Sequence, residues 1–138
     1  ENHTQRHSHR FSLSGPRGFE RELVCAQETL AAITGSSPRF FRAPAGLRNP
    51  FLDPVLAKLG LRLATWTRRG FDTMTRDPGV VTARLLRNLA SGDILLLHDG
   101  HAARTGAGVP VIIEVLPRVL DACAAAGLRP VTLREGTD

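Results

Sequence analysis

Apolar residues recur every three or four positions from Phe19 through Leu23, Ala26, Leu30 and Ile33 and stop at Gly35, which predicts an amphipathic helix. The period then shortens. "RFFRAP" reads as a brief apolar strand closed by Pro44, residues 54–59 as a short helix ended by Gly60, and "LRLATW" alternates as a strand does. "PGVVTARLLRNLASG" is helical again, with Pro78 in its first turn and Gly92 past its end. "DILLLHDG" is a nearly unbroken apolar run, as in a parallel strand covered on both faces. "PVIIEVLPRVLDACAAAG" predicts a long helix that Pro117 should kink or divide, and "LRPVTL" a last strand.

Strands alternating with helices of this length define an α/β chain of parallel strands with outer helices. Four strands in 138 residues are too few for a closed barrel, which takes about 200 residues or more, so the pattern resembles the later part of one. In such folds the chemistry gathers just past the carboxyl ends of strands. That singles out Arg42, the stretch from Trp66 to Asp72, and the stretch from His98 to His101.

Composition narrows the partners. With 42% hydrophobic and 22% charged residues the chain reads as an ordinary soluble domain, and no apolar run approaches the roughly 20 residues of a membrane-spanning helix. The +5 charge is carried almost entirely by arginine, Lys58 being the only lysine. The arginines are scattered, without a basic block or interleaved aromatics, so a solvated surface is the reading and no nucleic-acid partner is expected. Cys25 and Cys123 each fall in an alanine-rich helical pattern and read as small buried apolar residues, a disulfide between them being the alternative. The chain opens at Glu1 and its only methionine is Met74, so the beginning of the protein is expected upstream.

Two clusters carry candidate chemistry on their own. His3 and His7 stand four apart in "ENHTQRHSH", a spacing that lets two imidazoles aim at one point as in a divalent-metal site; a flexible histidine-rich terminus is the plainer reading. His98 ends the most buried predicted strand as a candidate general acid or base, with Asp99 beside it to orient or charge the ring.

"ENHTQRH", "RAPAG" and "ILLLHDG", in that order and spacing, resemble the second, third and fifth motifs of the polysaccharide deacetylases, the NodB-homology or carbohydrate esterase family 4 domain. The resemblance spans nearly the whole of residues 1–138 and includes "LAAITGSSPRFFRAPAG". It implies a distorted (β/α) barrel of the NodB-homology type, a divalent metal, most often zinc, and hydrolysis of N-acetyl or O-acetyl groups on an acetylated carbohydrate such as a chitin-like oligosaccharide or peptidoglycan. It also implies that His3 and His7 are metal ligands and that Thr4 holds their loop, while His9 has no family role. Arg42 would orient the catalytic carboxylate, Pro44 and Ala45 would line the groove, with the Ala45 N–H donating to the oxyanion, and His98 would protonate the departing amine. Trp66, Asp72 and Asp99 fall on the substrate side. Two departures stand out. The paired aspartates of the first motif, base and third ligand, are not among these residues, which implies an inactive fragment with "FFRA" or its neighbour as an open sheet edge. In "WTRRGFDT", Arg69 replaces one aspartate of the fourth motif and Asp72 keeps the other. A non-catalytic glycan-binding relative, and an unrelated α/β domain with a histidine-rich terminus, are the competing readings.

Overall fold

Gly15 leaves the backbone extended, and Pro16, whose missing N–H costs nothing in a first helical turn, starts α1 (Pro16–Thr34). Gly35 ends it in the left-handed conformation at φ 71°, its N–H bonded to the Ala31 carbonyl. The computed structural model describes residues 1–137 and divides into two units, Glu1–Thr65 and the chain from Trp66 onward.

In the first unit, α1 buries Phe19, Leu23 and Ala26, whereas Ile33, expected on the same face, is exposed in its last turn. Phe19 meets Phe11 edge-on at 4.8 Å between ring centroids, and Phe11 in turn packs at 5.7 Å on Phe41. Leu52, Val55 and Leu56 of α2 (Leu52–Lys58) close this core. β1 (Phe40–Phe41) pairs in parallel with β2 (Arg62–Leu63). On the other side of β1, Asn2 forms a parallel bridge, donating to the Phe40 carbonyl and accepting from the Arg42 N–H, both at 3.0 Å. "FFRA" is therefore flanked on both sides rather than left as an open edge.

In the second unit, β3 (Arg68–Arg69), a strand the periodicity does not announce, pairs in parallel with β4 (Leu95–Leu96). Asp93 clasps the pair, accepting from the Thr67 hydroxyl at 2.7 Å and the Arg68 Nε at 2.6 Å. These contacts, the Thr67 hydroxyl first, hold its carboxyl at about 2, well below the usual value. Only Leu96 of the apolar run is buried, since β4 has a strand on one edge only among the described residues. α3 (Pro78–Leu86) is capped by Asp77, whose carboxylate accepts from Gly79 and Val80. It packs so closely on the end of β3 that a Cβ at Gly70 would lie 2.8 Å from Val81. α3 stops at Leu86 rather than near Gly92 because Arg68 takes the carbonyls of Arg87 and Asn88, and Asn88 turns left-handed at φ 54°.

α4 (Val111–Ala125) buries Val111, Val115, Val119 and Cys123 at intervals of four, against Val81 and Leu85. Pro117 does not divide it: the carbonyl that loses its helical donor belongs to Ile113, which is 62% exposed and open to water. "LRPVTL" forms no strand. Leu128 instead bonds back to the Cys123 carbonyl at 2.8 Å across the left-handed Gly127 and packs on the aliphatic core, ending α4, and Pro130 lacks the N–H a strand would use. Cys123 is buried as expected, but Cys25 is exposed on α1, and both thiols are free. Among the described residues no helix is long and apolar enough to cross a membrane.

Candidate functional site

A buried amide organises the histidine-bearing loop of the first unit. Asn2, 1% exposed, donates through Nδ2 to the Leu23 carbonyl at 3.0 Å and the Gln27 Oε1 at 2.9 Å, both on α1. Its Oδ1 accepts from the Thr4 N–H at 3.0 Å, and the Thr4 hydroxyl accepts from the His7 N–H at 3.0 Å. Thr4 (φ 69°) and His7 (φ 50°) both take the left-handed conformation that side chains disfavour, so this relay fixes a loop that would relax without it. Glu22 of α1 holds the next turn, accepting from the Arg6 backbone and pairing with its guanidinium.

The loop brings His3 and His7 to 4.8 Å between ring centroids, with His9 a further 6.3 Å from His7. His3 Nδ1 lies 2.7 Å from the Arg42 carbonyl, which can only accept, so the proton sits on Nδ1 and the lone pair on Nε2. This is how a metal-ligating histidine is commonly set, so the pair fits a divalent metal. No group of three or more His, Cys, Asp or Glu able to hold one forms among the described residues.

Arg42 follows β1. One terminal nitrogen donates to the Thr65 carbonyl at 3.0 Å, while its Nε is buried without a partner, and burial pulls the guanidinium below its ordinary value. An anion beside it would satisfy that group. Pro44 is buried; Ala45 (φ 53°) and Gly46 (φ 73°) then turn left-handed in succession, leaving Ala45 exposed.

A buried carboxylate organises the second unit's candidates. Asp72, fully buried, accepts from the His98 backbone N–H at 2.7 Å through one oxygen. The other lies 3.0 Å from His98 Nδ1. A carboxylate that takes Nδ1–H leaves Nε2 as the nitrogen that exchanges a proton. The neighbour expected to orient this ring, Asp99, instead caps its own turn, accepting from the Gly100 N–H at 2.7 Å. Trp66 is half-buried with the Arg69 guanidinium 5.6 Å from its ring. The periodicity passes over Asn2, Phe71 and Arg84. Only Asn2 carried a hint, as the polar neighbour of a candidate ligand.

The sequence pattern of the polysaccharide deacetylase family matches residues 1–64. The chain is 26% identical over 136 residues to a peptidoglycan-N-acetylglucosamine deacetylase of Bacillus cereus, covering 97% of this chain and 61% of that protein. It is 33% identical over 100 residues to a chitooligosaccharide deacetylase of Azorhizobium caulinodans, covering 72% and 47%. Among solved structures, a family 4 carbohydrate esterase from Streptomyces lividans in complex with acetate superposes with a TM-score of 0.83 at 26% identity, over 99% of this chain and 66% of that one. The chain thus spans less than two thirds of the length of these curated relatives.

Proposed function

Since the chain belongs to the polysaccharide deacetylase family, with the fold of a partial (β/α) barrel, we propose that it serves a metal-dependent hydrolase that removes acetyl groups from the amide nitrogens of an acetylated carbohydrate. Residues 1–138 are one such domain, which draws its catalytic base and third metal ligand, both carboxylates, from outside these residues. The observation that carries this reading is the spending of both Asp72 oxygens on the two N–H groups of His98.

His3 and His7 hold a divalent metal, zinc being the one that the ligand types suit. When bound, it supplies Lewis-acid polarisation of the acyl group. Arg42, with its unsatisfied Nε, orients the carboxylate base. The Ala45 N–H faces the oxygen on which charge develops, beside Pro44 in the wall of the groove. Trp66 and Asp99 line the sugar side. His98 donates its Nε2 proton to the departing nitrogen, a step amide cleavage needs because an amine anion leaves poorly, and Asp72 keeps the ring aligned throughout.

In the full-length protein, zinc stoichiometry and acetate release from N-acetylglucosamine oligomers test the reading. One zinc per chain is expected, lost in His3→Ala and in His7→Ala. His98→Ala is expected to lower kcat on the oligomers by about 10²–10⁴-fold while sparing an activated aryl acetate, whose leaving group needs no proton. Oligomer binding without acetate release at saturating zinc would favour a glycan-binding relative; unchanged zinc stoichiometry in both histidine variants would exclude the metal assignment.

A further inference from the structure

Asp72 reaches His98 from a turn whose backbone is strained. Phe71, directly before it, holds a left-handed φ of 59° while its ring is 42% exposed, so burial of that side chain does not offset the strain. The turn enters at Gly70, pressed on α3 so that an added Cβ would meet Val81 at 2.8 Å and Leu85 at 3.3 Å. It closes at Thr75, whose N–H donates to the Phe71 carbonyl at 2.9 Å. One side chain from outside spans it. Arg84 of α3, its backbone fixed beside the buried Leu85, donates from one nitrogen to the Thr75 hydroxyl at 2.8 Å and the Gly70 carbonyl at 3.4 Å. Its guanidinium also lies 5.5 Å from the centroid of the Phe71 ring. These three partners bracket Asp72 in the chain. Arg84 forms no ion pair with a carboxylate among the described residues, so the polar contacts of its side chain all fall on this turn. Arg69 reaches the same ring at 4.6 Å, but from β3 itself.

We infer that Arg84 is a positioning residue for the proton donor: by locking the turn from Gly70 to Thr75 it sets the Asp72 carboxylate and, through it, the Nε2 of His98. The carboxylate leaves little slack for any other arrangement, since both its oxygens are taken by one residue, at 2.7 Å by the His98 backbone N–H and at 3.0 Å by Nδ1. A shift of the turn is therefore a shift of the ring. The inference rests on the deacetylase reading above, in which His98 gives a proton to the departing nitrogen, and deepens it by tying that step to a side chain on α3. Arg84 acts through Asp72 and not on the substrate.

Arg84→Met in the full-length protein tests this, because it keeps the aliphatic stem of an exposed residue and removes only the guanidinium. On N-acetylglucosamine oligomers kcat is expected to fall about 10–100-fold, as a misplacement near 1 Å would cause, with KM and zinc content unchanged. An activated aryl acetate, whose leaving group needs no proton, should be spared. In an Asp72→Asn background the same change should add less than about a twofold loss, since its route to His98 is already broken. Proton NMR should show the His98 Nδ1–H signal of the parent protein broadened or lost in Arg84→Met while the amide spectrum stays dispersed. Undiminished kcat, equal loss on both substrates, a full further loss on top of Asp72→Asn, or an unchanged Nδ1–H signal would each overturn the role, and on an enzyme that still releases acetate the deacetylase reading would stand. No acetate release from the parent protein at saturating zinc would remove that reading and this inference with it.

Discussion

Each unit of the molecule buries one polar side chain beside its candidate chemistry, and the two differ by a single atom type. Asn2 is an amide, two donors and an acceptor, and what surrounds it is two acceptors and a donor: the Leu23 carbonyl, the Gln27 Oε1 and the Thr4 N–H. Asp72 is a carboxylate that only accepts, and it faces the backbone and ring donors of His98. The amide ties a loop to a helix without burying charge, and the carboxylate fixes a ring that must itself carry a proton. Neither suits the other's place. Exchanging them is therefore the sharpest probe of the comparison.

The largest effect is expected from Asp72→Asn. An amide has one oxygen for two donors, so its NH₂ must face either the His98 N–H or Nδ1, and the latter removes the acceptor that lets the ring keep a proton on Nδ1 while it gives one from Nε2. In the full-length protein kcat on N-acetyl sugars should fall by about 10²–10⁴-fold, with zinc content unchanged. A loss of zinc instead would show that Asp72 serves the metal. Next comes Asn2→Asp, which sets a carboxylate against two oxygens. Urea denaturation should report a stability loss of roughly 3 kcal/mol or more, and zinc affinity should drop about 10–100-fold as the loop slackens. Stability lost with metal affinity intact would confine Asn2 to a purely structural role.

The smallest effect belongs to Asp93. Its folded pKa of about 2 lies below the ordinary carboxylate value, so the stability it contributes is complete above that value and fades as pH falls toward 2. Acid titration followed by circular dichroism should show this part of the loss missing in Asp93→Asn. An acid midpoint identical in the two proteins would mean the clasp on β3 and β4 contributes nothing measurable.

How much of this was legible beforehand depends on distance along the chain. α1, α3 and α4 could be read because their apolar positions repeat at helical spacing and because Gly35 ends the first and Pro78 opens the second. Parallel pairing followed from the alternation of elements. The strand expected in "LRPVTL" failed because Leu128 was taken by the end of α4, a use its composition does not reveal. Arg42 and His98 stood out as polar residues directly after apolar runs. Their supports did not: Asp72 meets His98 across 26 residues and Asn2 meets Leu23 across 21, and periodicity carries nothing over such separations. The wrong neighbour, Asp99, was preferred for His98 for the same reason.

Thr4, His7, Ala45, Phe71 and His101 all hold positive φ without being glycine, and all lie in or beside the segments that bear the candidate chemistry. Each stores on the order of 1–3 kcal/mol of backbone strain. An engineer seeking a more heat-resistant version would find these among the easiest gains, since glycine relieves the clash at each. Yet the same exchange deletes the Thr4 hydroxyl, the His7 imidazole or the Phe71 ring. Heat resistance and turnover therefore compete at the same few codons, and selection for thermal survival alone is expected to drift toward robust chains that no longer work.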